Sequence, residues 1–300
     1  MNKIYIKAII PSALLGFILI SLVGSGHSET LDKFKPEILE LSKSETSYFP
    51  TEYSGSSNIV FSPDVYVYQD SSVPFNGKQI ILLHGLRGTH NDLFSVPAYD
   101  KFINDVLAKG WRVIMFDLPF AESYFFEDGG TAYNQAYVEK LHQTMKYLDE
   151  QYHDFDLTVL GGISWGGLHS LIGAEEVHVF KGYFAILPDI KIGALTEFAG
   201  MIVPDFTPDK GSLDLQDLRG YIAFNTTDER VHYEDTVDFV NSLEDISALL
   251  KLRIYDSGGH TITGNLDYLV IWLEKTFKRE IFYHNFQNDE SPIRDRALEN

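Results

Sequence analysis

Short apolar runs alternate with longer segments of helical character through most of the chain. The runs do not alternate apolar with polar residues, so they predict parallel strands that are buried on both faces. The predicted strands are 79–83, 112–117, 156–160, 179–187, 220–224 and 252–255. The predicted helices are 99–109, 132–152, 233–250 and 266–278. This order predicts an α/β fold in which helices cover both faces of a mostly parallel sheet.

One segment, 188–219, interrupts the alternation. It carries Gly, Pro and Asp and is too long for a simple connection between strands, so it predicts a short cap or lid over a site. Its apolar residues would suit a lid that opens at a lipid interface and would equally suit an ordinary cap. These residues are Ile190, Ile192, Leu195, Phe198, Met201, Ile202 and Val203.

The first 28 residues have the layout of a secretory signal peptide. Lys3 and Lys7 precede a mostly apolar stretch that ends in small residues, and cleavage is expected after Gly26 or Ser28. The mature protein would then be exported, either periplasmic or secreted. The alternative is an uncleaved membrane anchor, although the apolar stretch is short for a span of about 20 residues and contains Pro11.

The remaining chain is predicted to form one domain with polar extensions. Residues 29–57 are polar and without a pattern, which predicts a leader. The domain is expected over 58–282, and 283–300 is a polar tail.

Composition excludes several classes of function. The chain has 43 acidic and 24 basic residues and a net charge of −19, so its surface should repel nucleic acids and anionic membranes. Membrane contact is expected only through the N-terminal segment, if that segment is not cleaved. The absence of cysteine excludes disulfides, thiolate metal sites and a cysteine nucleophile. No metal motif is present, so no metal is expected, and the sequence does not indicate the oligomeric state.

The sequence Gly162-Ile163-Ser164-Trp165-Gly166 lies between a predicted strand and a segment that can be helical. In this context Gly-x-Ser-x-Gly predicts a sharp turn that exposes a nucleophilic serine, with the glycines relieving the crowding. A serine hydroxyl is a poor nucleophile at neutral pH unless a histidine takes its proton and an acid orients that histidine. Ser164 is therefore the candidate nucleophile.

Both partners follow later predicted strands. Asp228 comes soon after strand 220–224, and His260 lies in a glycine-containing loop after strand 252–255. The carboxyl ends of parallel strands share one edge of a sheet, so both side chains should approach Ser164. Asp189 and Glu229 remain alternative acids.

A glycine-containing loop, His84-Gly85-Leu86-Arg87-Gly88, follows strand 79–83 and could hold a developing oxyanion. The backbone N–H groups of Leu86 and Trp165 are the expected donors. We expect His84 to pack under the turn and His169 to have a structural role one helical turn beyond it.

The motifs HGLRG, GISWGG, DERV and GGH, in this order over residues 58–282, resemble the α/β-hydrolase superfamily. The resemblance implies an eight-stranded, mostly parallel sheet, a triad of Ser164, Asp228 and His260, and hydrolysis of an acyl compound without a cofactor. Two features depart from the family. HGLRG is not the His-Gly-Gly-Gly run of many lipases, and the loop 117–123 lacks the glycines that many relatives carry there, so the aromatic segment 120–126 is a candidate lining of an apolar pocket.

The expected function is that of a carboxylesterase acting on a small acyl substrate. The alternatives are a serine peptidase or amidase, an interfacial lipase, and a non-catalytic relative that binds without turnover.

Overall fold

The computed structural model describes residues 33–40, 59–60, 64–85, 88–118, 120–121, 131–152, 154–177, 179–188, 215, 218–231, 237, 250–262 and 266–278. The predicted signal peptide, Leu86, nearly all of the insertion 188–219, most of the predicted helix 233–250 and the tail 283–300 lie outside these residues.

A twisted sheet of eight strands forms the centre of the fold. The described strands are β1 (Glu37–Glu40), β2 (Ile59–Val60), β3 (Asp64–Tyr68), β4 (Lys78–Leu83), β5 (Arg112–Phe116), β6 (Phe120–Ala121), β7 (Leu157–Ile163), β8 (Gly182–Ile186), β9 (Arg219–Asn225) and β10 (Leu250–Tyr255). The sheet order is β1-β3-β5-β4-β7-β8-β9-β10, and β2 pairs separately with β6. β1 and β3 run antiparallel to their neighbours, whereas all pairs from β5 to β10 are parallel.

Helices cover the sheet on two sides. Those described are α1 (His90–Ser95), α2 (Pro97–Leu107), α3 (Thr131–Tyr152), α4 (Trp165–Val177) and α5 (Asp267–Thr276). Residues of α3 and α4 share one apolar core, and residues of α2 and α5 share the other. β4 shows the division, because Ile81 and Leu83 belong to the first core and Ile80 and Leu82 to the second. The prediction of an eight-stranded, mostly parallel sheet with helices on both faces is confirmed.

The structure corrects the predicted leader 29–57. Residues Glu37–Glu40 form the edge strand β1, with Leu39 paired to Val65 and buried in the core. Phe34 is buried as well. The folded domain therefore includes residues well before 58. A four-residue edge strand with glutamate at both ends is not visible in a hydrophobic pattern, and of Glu37, Ile38 and Leu39 only Leu39 is buried.

Three predicted boundaries also differ. The predicted helix 99–109 is preceded by α1, and α2 begins at Pro97 because proline fits the first turn of a helix and disfavours helical backbone at the residue before it. β7 continues through Gly161 and Gly162 to Ile163. Leu250, the last residue of the predicted helix 233–250, is instead the first residue of β10.

Within the part of the chain that the structure describes, none of the helices has the length and apolarity that a membrane span requires.

Candidate functional site

Ser164 occupies the turn between β7 and α4. Its backbone φ is 55°, in the left-handed region that residues with a side chain seldom adopt. The Ser164 N–H donates to the Ile186 carbonyl at 2.8 Å, and the Ser164 carbonyl accepts from the Leu168 N–H at 3.1 Å. These bonds hold the turn, so the hydroxyl stands above the carboxyl edge of the sheet and remains partly exposed.

Two glycines make this turn possible. A Cβ on Gly162 would collide with the backbone carbonyl of Gly166, and a Cβ on Gly166 would collide with the backbone of Leu83 and His84. The atoms that each new Cβ would meet belong to the backbone, so they cannot move aside as a flexible side chain could. The motif thus requires glycine at both positions because two backbone segments and a helix terminus meet there.

His260 lies between Ser164 and Asp228. Its Nε2 is 2.7 Å from Ser164 Oγ, and its Nδ1 is 2.8 Å from Asp228 Oδ2. An ionised carboxylate only accepts hydrogen bonds, so Nδ1 carries a proton and donates it to Asp228. In a neutral imidazole Nε2 then accepts the hydroxyl proton of Ser164. The three residues form one continuous hydrogen-bonded chain.

Asp228 is held as a carboxylate. It is buried, and its second oxygen, Oδ1, accepts the backbone N–H groups of Arg230 at 2.8 Å and Val231 at 3.0 Å. Burial alone would raise its pKa, but the hydrogen bond to His260, the charge of His260 and the two N–H donors together lower the pKa below its ordinary value. Of the alternative acids, Glu229 is exposed beside it, and Asp189 lies outside the described residues.

The loops that carry Asp228 and His260 touch through Asn225, the last residue of β9. Its side-chain Nδ2 donates to the carbonyls of Ser257 at 2.6 Å and Gly259 at 3.0 Å. The sequence motifs do not identify Asn225. The available signal was a polar residue at the carboxyl end of a buried strand, three positions before Asp228.

The oxyanion side of the site is described in part. Leu86 lies outside the described residues, but Gly85 packs against Ser164, and a Cβ added to Gly85 would stand 3.5 Å from Ser164 Cβ. Trp165 is the first residue of α4, so its N–H belongs to the group at a helix start that has no acceptor within the helix. The helix start also provides partial positive charge beside Ser164.

His84 and His169 are both buried beneath the site. His84 Nε2 accepts the backbone N–H of Leu118 at 2.7 Å, so its Nδ1 carries the proton and donates to the Gly85 carbonyl at 2.7 Å. His169 Nδ1 lies 2.9 Å from the Trp165 carbonyl. Burial lowers the pKa of His84 and lowers that of His169 to about 4, which keeps both rings neutral. His84 thereby joins the loop after β4 to the loop after β5.

A second polar cluster lies around Asp117, directly after β5. Asp117 Oδ1 accepts the backbone N–H of His90 at 2.7 Å and lies 2.9 Å from His90 Nδ1, and the His90 ring stacks on Tyr66. Lys140 is buried nearby. Burial lowers its pKa to about 8, although the negative charges of Asp117 and Asp64 act to raise it. Among the described residues, no group of three or more His, Asp or Glu side chains has the arrangement of a metal site. The predicted aromatic lining 120–126 lies outside the described side chains.

Comparisons with known proteins agree on the fold. The family model described as "alpha/beta hydrolase fold" matches residues 78–209. No curated protein matches the chain in sequence. Solved structures with this fold include an acylaminoacyl peptidase of Pyrococcus horikoshii, with 12% identity, a TM-score of 0.56, and coverage of 88% of this chain but 43% of the peptidase. The chain thus spans less than half the length of that relative.

Two further structures match over most of their own length. An esterase of Pyrococcus furiosus has 15% identity and a TM-score of 0.54, with 82% of this chain and 91% of the esterase covered. An α-β serine hydrolase homologue of Coxiella burnetii has 19% identity and a TM-score of 0.51, with 77% of this chain and 99% of the homologue covered. At such identities the likeness shows the fold. The family match over residues 78–209, the eight-stranded sheet and its order together show that the chain has the α/β-hydrolase fold.

Proposed function

We propose that this protein is a serine hydrolase that cleaves a carboxylic ester through an acyl-enzyme on Ser164. The observation that carries the proposal is the hydrogen-bonded chain from Ser164 through His260 to Asp228, at the turn between β7 and α4. A serine, a histidine and a buried carboxylate in this order provide nucleophile, base and orienting group.

In the first half-reaction, Ser164 Oγ attacks the carbonyl carbon of the ester while its proton passes to His260 Nε2. The imidazole then carries a positive charge, which the Asp228 carboxylate stabilises from the other side. Negative charge develops on the former carbonyl oxygen. The N–H groups of Trp165 and Leu86 are proposed to bind this oxygen.

Collapse of the tetrahedral intermediate breaks the bond to the leaving alcohol, and His260 Nε2 gives its proton to that oxygen. The acid part of the substrate is now an ester of Ser164. In the second half-reaction His260 takes a proton from water, the hydroxide attacks the acyl carbon, and Ser164 leaves with its proton restored. No cofactor is needed in either half.

An ester is the favoured substrate because its carbonyl is less stabilised by resonance than that of an amide and is therefore easier for the same catalytic residues to attack. The esterase among the structural relatives is consistent with this choice, since its length is almost fully covered. A peptidase or amidase is the alternative, and an acylaminoacyl peptidase is among the structural relatives. An interfacial lipase and a non-catalytic binding protein are two more candidates, which chemical labelling and substrate kinetics can distinguish from the esterase.

Labelling with a fluorophosphonate probe tests the nucleophile directly. We expect the parent protein to be labelled at Ser164, as located by mass spectrometry, and Ser164→Ala to remain unlabelled. Ser95→Ala is the matched control, because Ser95 is an exposed serine at the end of α1 and its loss should leave labelling intact. Absence of labelling in a folded parent protein would overturn the proposal in favour of the binding protein.

A series of p-nitrophenyl esters from acetate to laurate, with the matching p-nitroanilides, tests the substrate class. Higher kcat/KM on the esters supports the esterase, whereas higher kcat/KM on the anilides supports the amidase. A sharp rise in rate above the solubility limit of the longer esters would favour the lipase.

We further propose that residues 1–28 act as a signal peptide and that the mature enzyme is exported. The support is the sequence pattern of Lys3 and Lys7, the apolar stretch and the small residues that follow. The mass of protein recovered outside the cytoplasm should correspond to a chain that begins at His27 or Glu29. Recovery of the intact chain in a membrane fraction would favour the anchor.

A further inference from the structure

Asn225 makes four hydrogen bonds with its side chain although only 1% of its surface is exposed. Nδ2 donates to the Ser257 and Gly259 carbonyls, both in the loop that carries His260. Oδ1 accepts the backbone N–H of Thr227 at 3.0 Å and the Thr227 hydroxyl at 2.9 Å, both in the loop that carries Asp228. One carboxamide therefore joins the two loops.

The orientation of this amide is determined by its partners. Two carbonyl oxygens face one end of the group, and two donors face the other. A flipped amide would place its oxygen against both carbonyls and its NH₂ against the Thr227 N–H. Only the unflipped orientation satisfies every partner.

Thr227 completes the link on the exposed side. Its hydroxyl donates to Asn225 Oδ1 and accepts the backbone N–H of Gly259 at 3.2 Å. The hydrogen bonds of Asn225, Thr227 and Gly259 form a closed ring. Gly259 immediately precedes His260, and Thr227 immediately precedes Asp228.

Side-chain bonds are needed at this place because the strand ladder ends just before it. The pairing of β9 with β10 stops at Asn225 and Tyr255, and the Thr226 N–H makes the last backbone bond, to the Tyr255 carbonyl at 2.9 Å. Beyond it the His260 loop passes through Gly258 and Gly259, both with positive φ. Glycine adds backbone freedom, so the loop needs a tether to hold one geometry.

We propose that Asn225, assisted by Thr227, is a positioning residue that sets the distance between His260 and Asp228. Asn225 makes its bonds to the residues on either side of the pair and acts through the two loops. The kinetic part of this inference rests on the proposed function, whereas the effect on the His260–Asp228 bond does not.

Asn225→Asp is the sharpest variant because it preserves shape and the two bonds from Thr227 while placing a carboxylate oxygen against two carbonyls. We expect kcat for an ester to fall by about 10²-fold with KM unchanged, as for a small misplacement of catalytic groups. Gln79→Glu is the matched control. Gln79 is an equally buried amide with Arg112 beside it, and it lies at the amino end of β4, away from His260 and Asp228. The control should retain the parent kcat.

Thr227 provides a second, exposed position at which folding is not at risk. Thr227→Val removes the hydroxyl and should lower kcat by about tenfold, a smaller displacement than in Asn225→Asp. Thr227→Ser keeps the hydroxyl and should restore the parent kcat. This pair decides the matter if Asn225→Asp does not fold.

The spectroscopic readout separates this inference from the proposed function. The proton between His260 Nδ1 and Asp228 should give a downfield NMR resonance in the parent protein whether or not the protein turns over an ester. We expect that resonance to broaden or disappear in Asn225→Asp and Thr227→Val, and to persist in Gln79→Glu and Thr227→Ser. An unchanged resonance and kcat in folded Asn225→Asp, or equal losses in Thr227→Val and Thr227→Ser, would overturn the inference. Loss of the resonance in a protein that has no esterase activity would support the positioning role and count against the proposed function.

Discussion

Ser164 and Leu187 follow two residues that are paired across neighbouring strands, Ile163 of β7 and Ile186 of β8. Both have a left-handed backbone, with φ of 55° and 49°, and among the described residues they are the two non-glycine positions with a positive φ. The Ser164 N–H donates to Ile186, and the Leu187 N–H donates to Ala223 of β9 at 2.7 Å. The strained backbone of Ser164 and that of Leu187 are thus each held by a hydrogen bond to the next strand of the sheet.

This strain predicts an unusual order of stability at position 164. Glycine adopts a left-handed backbone without the penalty that Cβ brings, so Ser164→Gly should be more stable than Ser164→Ala by about 1 kcal/mol. The free energies of unfolding of the two variants in urea measure the difference. At an ordinary helical position the order would be reversed, and a reversed order here would contradict the left-handed backbone.

Two glycines near Ser164, Gly162 in its turn and Gly85 in the loop after β4, should differ sharply in their tolerance of a side chain. In Gly162→Ala the new Cβ meets the backbone of Gly166, so the free energy of unfolding should fall by about 3 kcal/mol. In Gly85→Ala the nearest atom is Ser164 Cβ at 3.5 Å, and the change should stay within about 1 kcal/mol. The urea midpoints of unfolding of the two variants test this difference in stability. Equal midpoints would mean that the turn relaxes around the new Cβ.

The orienting acid can be identified by a pair of neighbouring variants. Asp228→Asn presents an amide to His260 and favours the wrong tautomer, so kcat should fall by about 10⁴-fold with the fold intact. Glu229→Gln makes the same chemical change at the exposed position beside it and should leave kcat as in the parent protein. If the two variants behaved alike, Asp189→Asn would become the next test.

Asp117 predicts a loss of stability in acid. Burial by itself would raise its pKa, but the hydrogen bonds and charge of His90 lower it below the ordinary value. The unfolded chain therefore binds a proton more readily, near pH 3.9, and the stabilisation present above that pH is lost as the pH falls through the lower folded pKa. Tyr66 and Lys140 face the same carboxylate, and their charges do not change in this range.

The test compares the parent protein with Asp117→Asn in urea from about pH 6 to pH 3, the range in which a carboxylate titrates. The difference in free energy of unfolding should shrink toward low pH, because the asparagine variant has no proton to bind there. Asp149→Asn on the exposed side of α3 serves as the control and should track the parent protein. A constant difference across the range would show that Asp117 is not held ionised by His90.

The centre of the fold was predictable because a parallel strand that is buried on both faces is an uninterrupted run of apolar residues in the sequence. Ile80 to Leu83 must be apolar without interruption since β4 has a core on each side. Once the strands were predicted, the loops at their carboxyl ends followed. Within those loops, the order serine, aspartate, histidine identified Ser164, Asp228 and His260, which the structure brings together.

The rest of the site depends on contacts between residues that are distant in sequence. In the sequence, Asn225 is a polar residue at the end of a strand. The carbonyls that its side chain binds belong to Ser257 and Gly259, which are 32 and 34 positions away, so no local pattern indicates these contacts. The edge strand β1 was missed for a related reason, since its place depends on pairing with β3 and not on its own composition. Long-range backbone pairing of this kind leaves little local signal.

The order of the strands has a consequence for the synthesis of the protein. The turn with Ser164 is complete once α4 has been made, whereas His260 follows β10, which lies at the end of the sheet and pairs with β9. A nascent chain that has emerged only as far as Val231 would contain Ser164 and Asp228 but not His260. We expect such a chain to be inert toward fluorophosphonate, so that the protein becomes reactive only when β10 has docked on β9.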